Sequence, residues 1–394
     1  MNKTRIIFFA GKGGVGKTTT AAATAIRSAQ NGYRTLIMST DPAHSLADTF
    51  ECLINRNVTA IRPNLDAFEI DPYFELDSNW GEIRDYLSSL IISLGADASL
   101  AGELATIPGM DNLFSLLRIR EFHQSQQYDV IIVDMAPTGE SLRLLSLPDA
   151  ISLALKVTRY LEKYLVSPVI RPASKMSKSL RAVIAPEEVA KSWETLLEKL
   201  LDVRKILEAD TVTSTRLVLN PEKMVINESQ RALTYLNLFG ITVDCIIVNR
   251  LIPDAVQDSY FHDWYSLQQR HLKNVYELFS PLPIKTVPFF KEEVIGIAKL
   301  NLLAECLYDN DDPTHLFYSE RPVKIIVTKE ERIFAVQAPF IKPGLIELST
   351  RGNELMIQIG NQLRSFIIPD SLSGLSPTNA VYTDGWIHVK FQKN

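Results

Sequence analysis

GKGGVGKT, residues 11–18, follows the apolar run Ile6–Ala10 and leads into an alanine-rich stretch from Thr19. Gly11, Gly16, Lys17 and Thr18 fill the pattern G-x-x-x-x-G-K-[ST], and the strand-before, helix-after setting is the context that makes the pattern a phosphate-binding loop. Glycines at 11, 13, 14 and 16 let backbone N–H groups turn inward around phosphate oxygens, with Val15 carried between them and the helix N-terminus adding favourable partial charge. Lys17 is expected to reach the β- and γ-phosphates, and the Thr18 hydroxyl a Mg²⁺ ion, with Thr19 completing the loop's exit. Lys12 is a second lysine at the loop entrance. Two ammonium groups so close repel one another unless an anion neutralises both.

Two further clusters end apolar runs. Asp134 closes Val130–Asp134 and is followed by Ala136-Pro137-Thr138-Gly139, so it is expected to orient Mg²⁺ through the ion's water shell. Asp41, in Ser39-Thr40-Asp41-Pro42-Ala43-His44, also follows a strand pattern. A carboxylate there can polarise a water towards a γ-phosphate, so Asp41 joins Lys12 and Lys17 as a candidate catalytic group. The expected activity is ATP hydrolysis with ATP and Mg²⁺ as ligands.

The formal net charge of −5 argues against general nucleic-acid binding, which requires a basic face. Cys52, Cys245 and Cys306 form no CxxC pair, which fits a reducing compartment and neither a disulfide framework nor a zinc site. No run approaches the ~20 apolar residues needed to cross a bilayer, so no stable membrane insertion is expected. A cytoplasmic location is expected, or the plastid stroma if a transit peptide has been removed.

Short runs apolar on both faces recur at Ile6–Ala10, Thr35–Ser39, Val130–Asp134, Arg216–Leu219, Cys245–Asn249 and Ile284–Val287. Alternating with helical patterns, they predict a doubly wound, mostly parallel α/β sheet. Ile83, Tyr86, Leu87, Leu90, Ile91 and Leu94 share one helical face, as do Val189, Trp193, Leu196, Leu197, Leu200, Val203 and Leu207 after Pro186-Glu187-Glu188. Ile151–Leu165 is apolar around most of its circumference, and Ser167–Ser179 reads as a loop. These helices suit either a plain core or a groove. The texture changes at Asp309-Asn310-Asp311-Asp312-Pro313. Beyond it Val323-Ile325-Val327, Leu355-Ile357-Ile359 and Ile387-Val389-Phe391 alternate with period two, and Arg351-Gly352-Asn353 reads as a hairpin turn. The expected division is an ATPase domain over 1–311, a linker over 312–320 and an all-β domain over 321–394.

GKGGVGKT at 11–18, STDPAHSL at 39–46, DMAPTGESLRLLSLP at 134–148, IVNR at 247–250 and VPFFKEEVIGIAKL at 287–300 together resemble the ArsA/Get ATPases. That group comprises arsenite-pump ATPases and targeting factors for tail-anchored membrane proteins. The resemblance implies a homodimer in which Lys12 reaches the partner's nucleotide. It implies Asp41 as the switch I catalytic aspartate, Asp134 in switch II, and Asn249 with Pro288 and Phe289 around the adenine. It assigns helices about 70–125 and 150–210 to an inserted client-handling subdomain. Two departures stand out. Asp258–Leu272 lacks the cysteines that bind zinc in eukaryotic targeting factors, so no zinc is expected, and Glu140 follows Thr138-Gly139 where a histidine is common.

The last 74 residues resemble the α-crystallin sandwich of small heat-shock proteins, through Gly352-Asn353-Glu354-Leu355, Ser365–Pro369 and Asp384-Gly385-Trp386. The combination is similar to the bacterial and plastid branch of the targeting family. It implies a nucleotide-switched chaperone or targeting factor for hydrophobic clients such as tail-anchored proteins. The alternative is an ATPase energising arsenite or antimonite efflux, which would need three soft thiolates together.

Overall fold

In the computed structural model, the described residues are 4–41, 45–54, 57–70, 110–136, 187–256, 259–328, 331–341, 344, 346–351, 354–360, 362–372 and 374–392. The helical faces expected over 83–94 and 151–165, the loop over 167–179, and Thr138-Gly139-Glu140 lie outside the described residues.

β1 (Arg5–Ala10) pairs in parallel with β5 (Val130–Asp134) on one side and β6 (Thr213–Leu219) on the other. Adding β2 (Thr35–Ser39), β3 (Thr59–Arg62), β4 (Leu65–Glu69), β7 (Val243–Leu251) and β8 (Ile284–Pro288) gives the eight-stranded order β3-β4-β2-β5-β1-β6-β7-β8. All pairings are parallel except β3 with β4. The chain winds from β1 towards β2, then crosses β1 to continue through β6. The strand order therefore reverses beside β1, the place where open α/β sheets bind ligands at their carboxyl ends. Ile6, Ile7, Phe8 and Phe9 are wholly buried, as a strand covered on both faces requires.

α1 (Lys17–Gln30) leaves the β1 loop, and its alanines and threonines give a slim buried face that lies close to the sheet and to α7 (Gly296–Tyr308). Between them in sequence come α2 (Ser45–Phe50), α3 (Met110–Ser125), α4 (Glu187–Leu207), α5 (Lys223–Leu238) and α6 (Ser259–Phe279). Residues 70–125 and 143–206 make a compact unit of their own, apart from the unit that holds the sheet. Within it Arg120 donates to Asp202 at 2.9 Å, and Leu196, Leu200 and Val203 of the expected α4 stripe are buried.

The hairpin β3–β4 went unread in the sequence, because Asp66 and Glu69 make its strands look like loop. Both carboxylates are spent on structure. Tyr128 donates its hydroxyl to Asp66 Oδ2 at 2.9 Å, and Glu69 Oε1 accepts from Leu46 N and Ala47 N at the start of α2. β6 begins three residues earlier than its apolar run suggests, since Arg216 sits inside the strand rather than at its border. Wholly buried, Arg216 donates to Tyr308 Oη (2.8 Å), Pro313 O (2.6 Å) and His315 O (3.3 Å), and lies 3.5 Å from Asp244. The segment expected as a linker is thus gripped at the foot of the sheet.

Beyond it, β9 (Val323–Val327), β10 (Arg332–Gln337), β14 (Ser376–Thr383) and β15 (Trp386–Gln392) form an antiparallel sheet in the order β14-β15-β10-β9. β11 (Ile346–Arg351), β12 (Glu354–Ile359) and β13 (Gln362–Ile367) form a second, three-stranded one. Leu355, Ile357 and Ile359 meet Ile387, Val389 and Phe391 in the core between them, as the period-two pattern predicts. On β9 the same pattern fails to mark burial. Ile325 and Val327 are exposed, because β9 is an edge strand paired only with β10.

Candidate nucleotide site

The loop after β1 is held open by two close approaches. A Cβ on Gly11 would lie 2.2 Å from Val218 O, so the loop entrance rests against β6. Gly16 is the N-cap of α1 with φ 91°, a left-handed conformation that glycine adopts without strain, and a Cβ there would lie 2.3 Å from Asn249 Nδ2. Asn249 donates to Val15 O at 2.9 Å and accepts from Arg250 N at 2.9 Å, so both ends of its amide are engaged behind the loop. Gly13 and Gly14 are exposed at the tip and Lys12 is half-buried.

Lys17 is buried and donates from Nζ to Lys12 O at 3.2 Å. Burial lowers its pKa, while Asp134, Asp41 and Glu228 act in the opposite direction. The Thr18 hydroxyl donates to Asp134 Oδ2 at 2.7 Å. Asp134 is itself buried, and burial raises its pKa to about 7 against the pull of Thr18 and Lys17. Its Oδ1 is buried without a hydrogen-bond partner. A divalent cation fits this arrangement: an orphaned carboxylate oxygen beside a hydroxyl, next to a loop built for phosphates, is the sparse donor set that Mg²⁺ shares with nucleotide oxygens and water.

Asp41 follows β2 and is half-buried, with its N–H donating to Ser39 Oγ at 3.1 Å. Register Ser39↔Asp134 puts the two aspartate-bearing strand ends side by side. Thr40, unread in the sequence, ties them: its N–H donates to Asp134 O at 2.9 Å and its hydroxyl accepts from Ala136 N at 3.1 Å. The only sequence signal for that role is a threonine one residue past a strand. Pro288 ends β8 in register with Leu251, and Phe289, exposed, donates its N–H to Leu251 O at 2.7 Å. The loop after Asn249 is held by Gln268 of α6, whose amide bonds both Ile252 N (2.7 Å) and Ile252 O (3.2 Å). Lys12, Lys17, Thr18, Asp41, Asp134 and Asn249 therefore meet at the carboxyl ends of β1, β2, β5 and β7, with Pro288 and Phe289 one strand further along.

A glycine loop with a buried lysine, a hydroxyl–carboxylate pair and a second carboxylate on the neighbouring strand defines a P-loop ATPase. Residues 4–309 match the anion-transporting ATPase (ArsA) family, and residues 329–391 match the HSP20-like domain found in ArsA. The chain belongs to the ArsA/Get family of ATPases. Among its relatives, a "putative arsenical pump-driving ATPase" of Chlorobaculum tepidum is 42% identical over 98% of this chain and 96% of its own length. A "putative arsenical pump-driving ATPase 1" of Aquifex aeolicus is 37% identical over 95% of this chain and 97% of its own. An "ATPase get3" of Pyrenophora tritici-repentis is 32% identical over 77% of this chain and 91% of its own.

Proposed function

We propose that this chain is a homodimeric, Mg²⁺-dependent ATPase whose nucleotide cycle switches a chaperone or targeting factor for hydrophobic membrane-protein segments, tail-anchored proteins among them. The observation that carries the switch is the pair of strand ends bearing Asp41 and Asp134, tied by Thr40 and facing the phosphate loop. A ligand shifts a conformational equilibrium only by its differential affinity for the two states, and a γ-phosphate between these carboxylates and Lys17 supplies one.

In this reading Lys17 exchanges Lys12 O for β- and γ-phosphate oxygens, and Lys12 reaches the partner's nucleotide. Asn249, Pro288 and Phe289 border the adenine. Thr18 and Asp134 would hold Mg²⁺, which would supply charge neutralisation at the phosphates. Asp41 orients the attacking water and accepts its proton as the γ-phosphoryl bond breaks. The client half is supported by kinship with the targeting branch and by the HSP20-like domain carried on the same chain.

Efflux of arsenite or antimonite is the second reading, favoured by the names of the arsenical-pump relatives. Cysteine chemistry weighs against it. Cys245 is sealed within β7 with its thiol pushed up to about 12 by burial, Cys306 is exposed on α7, and Cys52 follows α2. Among the described residues no group of three or more His, Cys, Asp or Glu side chains could hold a metal ion.

The test is nucleotide-dependent capture of a synthetic, fluorophore-labelled transmembrane-helix peptide by purified protein. Capture should depend on nucleotide state, and Asp41→Asn should abolish turnover while keeping ATP binding. Normal turnover in that variant would remove Asp41 from the mechanism, and absence of capture in every nucleotide state would remove the client reading.

A further inference from the structure

The C-terminal β domain does not close its core with its own residues. Leu238 of α5 is part of that core, 2% exposed among Phe334, Val336, Ile357 and Phe366, and Tyr235 packs against it one turn earlier. Around this apolar plug runs a polar seam. The Thr234 hydroxyl donates to Pro339 O, and Asn237 Nδ2 donates to Gln337 Oε1 at 3.3 Å. On the other side Arg364, pointing inward from β13 and 4% exposed, lies over the Phe239 ring and donates to Glu208 at 2.7 Å.

The other end of α5 lies towards the nucleotide site, joined to it through the turn that leaves β6. The carbonyl of Val218 backs Gly11, and two residues later the chain leaves β6 at Asn220 to enter α5. Asn220 Oδ1 is buried with no hydrogen-bond partner at that strand end. Glu228, in the second turn of α5, is one of the charges acting on Lys17. α5 is therefore a single rod of 16 residues, about 24 Å long, with the phosphate loop at one end and the β-domain core at the other.

We propose that the β domain is a regulator in cis of the nucleotide site, with Thr234, Tyr235, Asn237 and Leu238 as the positioning residues through which it sets α5 behind the phosphate loop. Close-packed interiors shift between discrete arrangements rather than deform smoothly. A displacement of α5 on nucleotide binding must accordingly be answered at Leu238, and the docked domain must bias the loop in return. That reciprocity is thermodynamic. The seam's composition suits such motion, since its hydrogen bonds can be remade a short step away while the Leu238 plug keeps the domain attached. The inference is independent of the cargo, because it concerns only ATP binding and turnover.

Hydrogen exchange read by mass spectrometry on the full chain tests it, with and without a non-hydrolysable Mg-ATP analogue. The analogue should protect residues 11–19, and exchange at Gln337–Ala338 and at 362–368 should change at least fivefold. The variant Thr234→Val/Asn237→Leu keeps the helix, the plug and the Arg364–Glu208 pair but removes the two bonds that α5 itself makes to the β domain. In it the distant response should vanish while protection of 11–19 persists, and KM for ATP or kcat should move severalfold. Protection confined to the loop in the unaltered protein would overturn the proposal without recourse to any variant. So would a folded seam variant with unchanged kinetics, since loss of mere packing would lower Tm and leave KM and kcat alone.

Discussion

Thr18 Oγ1 lies 2.7 Å from Asp134 Oδ2, while the second oxygen of the same carboxylate is buried with no hydrogen-bond partner. The phosphate loop and the end of β5 are thus joined by one half of a carboxylate whose other half faces no donor. The cost of that arrangement depends on pH. Asp134 binds its proton more tightly folded, with a pKa raised from 3.8 to about 7, than unfolded. Between these values the folded state holds the extra proton, so stability falls as pH rises through the window and stays low above it. Asp134→Asn keeps an acceptor for Thr18 and removes the charge. The nucleotide-free variant should be more stable than the unaltered protein at pH 8, by at most about 4 kcal/mol, and melt at a higher temperature. The gap should close towards pH 4. Thermal denaturation across pH, without metal or nucleotide, checks this, and an unchanged gap at pH 4 and pH 8 would contradict it.

Gly16→Ala should damage nucleotide binding far more than Gly14→Ala. Both glycines have positive φ, 91° and 81°, so each alanine costs roughly 1–2 kcal/mol in backbone strain. At Gly14 nothing lies within 4 Å of the added carbon, whereas at Gly16 it would lie 2.3 Å from Asn249 Nδ2 and force that amide off Val15 O. Calorimetric titration with ADP should show at least a tenfold loss for Gly16→Ala and a smaller one for Gly14→Ala.

The sheet was readable wherever its strands are apolar: Thr35–Ser39 and Val130–Asp134 match β2 and β5 residue for residue. Legibility failed where a charge is paid off by a partner remote in sequence. Asp66 is matched by Tyr128, Glu69 by the N–H groups opening α2, and Arg216 by carbonyls 97 and 99 residues downstream. No local pattern announces such partners. The phosphate loop was legible because its chemistry is contiguous, and Thr40 was not, because its meaning depends on β2 and β5 lying side by side. The docking of the β domain on α5 was illegible for the same reason. Leu238 reads as an ordinary helix-face residue until the second domain's core is seen to contain it.

Arg216→Met should destabilise the ATPase core by about 3 kcal/mol, the usual consequence of removing one member of a buried ion pair. Arg5 limits the loss, since its guanidinium also reaches Asp244 at 3.5 Å. Pro313 O and His315 O lose their donor, so the segment around them should loosen before the sheet melts. Limited proteolysis should then cut near residues 313–317 under conditions where the unaltered chain is resistant. A variant that melts lower but resists cleavage there would show that the Arg216 bonds do not hold the segment.

Arsenite and antimonite should leave the ATPase rate unchanged. Trivalent arsenic requires thiolates brought together, and burial disfavours the thiolate at both Cys245 and Cys52. Cys245 is also wholly enclosed in β7, out of reach of an oxyanion. Steady-state hydrolysis with and without each metalloid, repeated on Cys52→Ser and Cys306→Ser, decides the matter. Stimulation lost in either serine variant would establish a thiolate site that includes Cys52 or Cys306, most simply across two subunits, and would return efflux to the front. Unchanged rates in all three proteins would count against efflux.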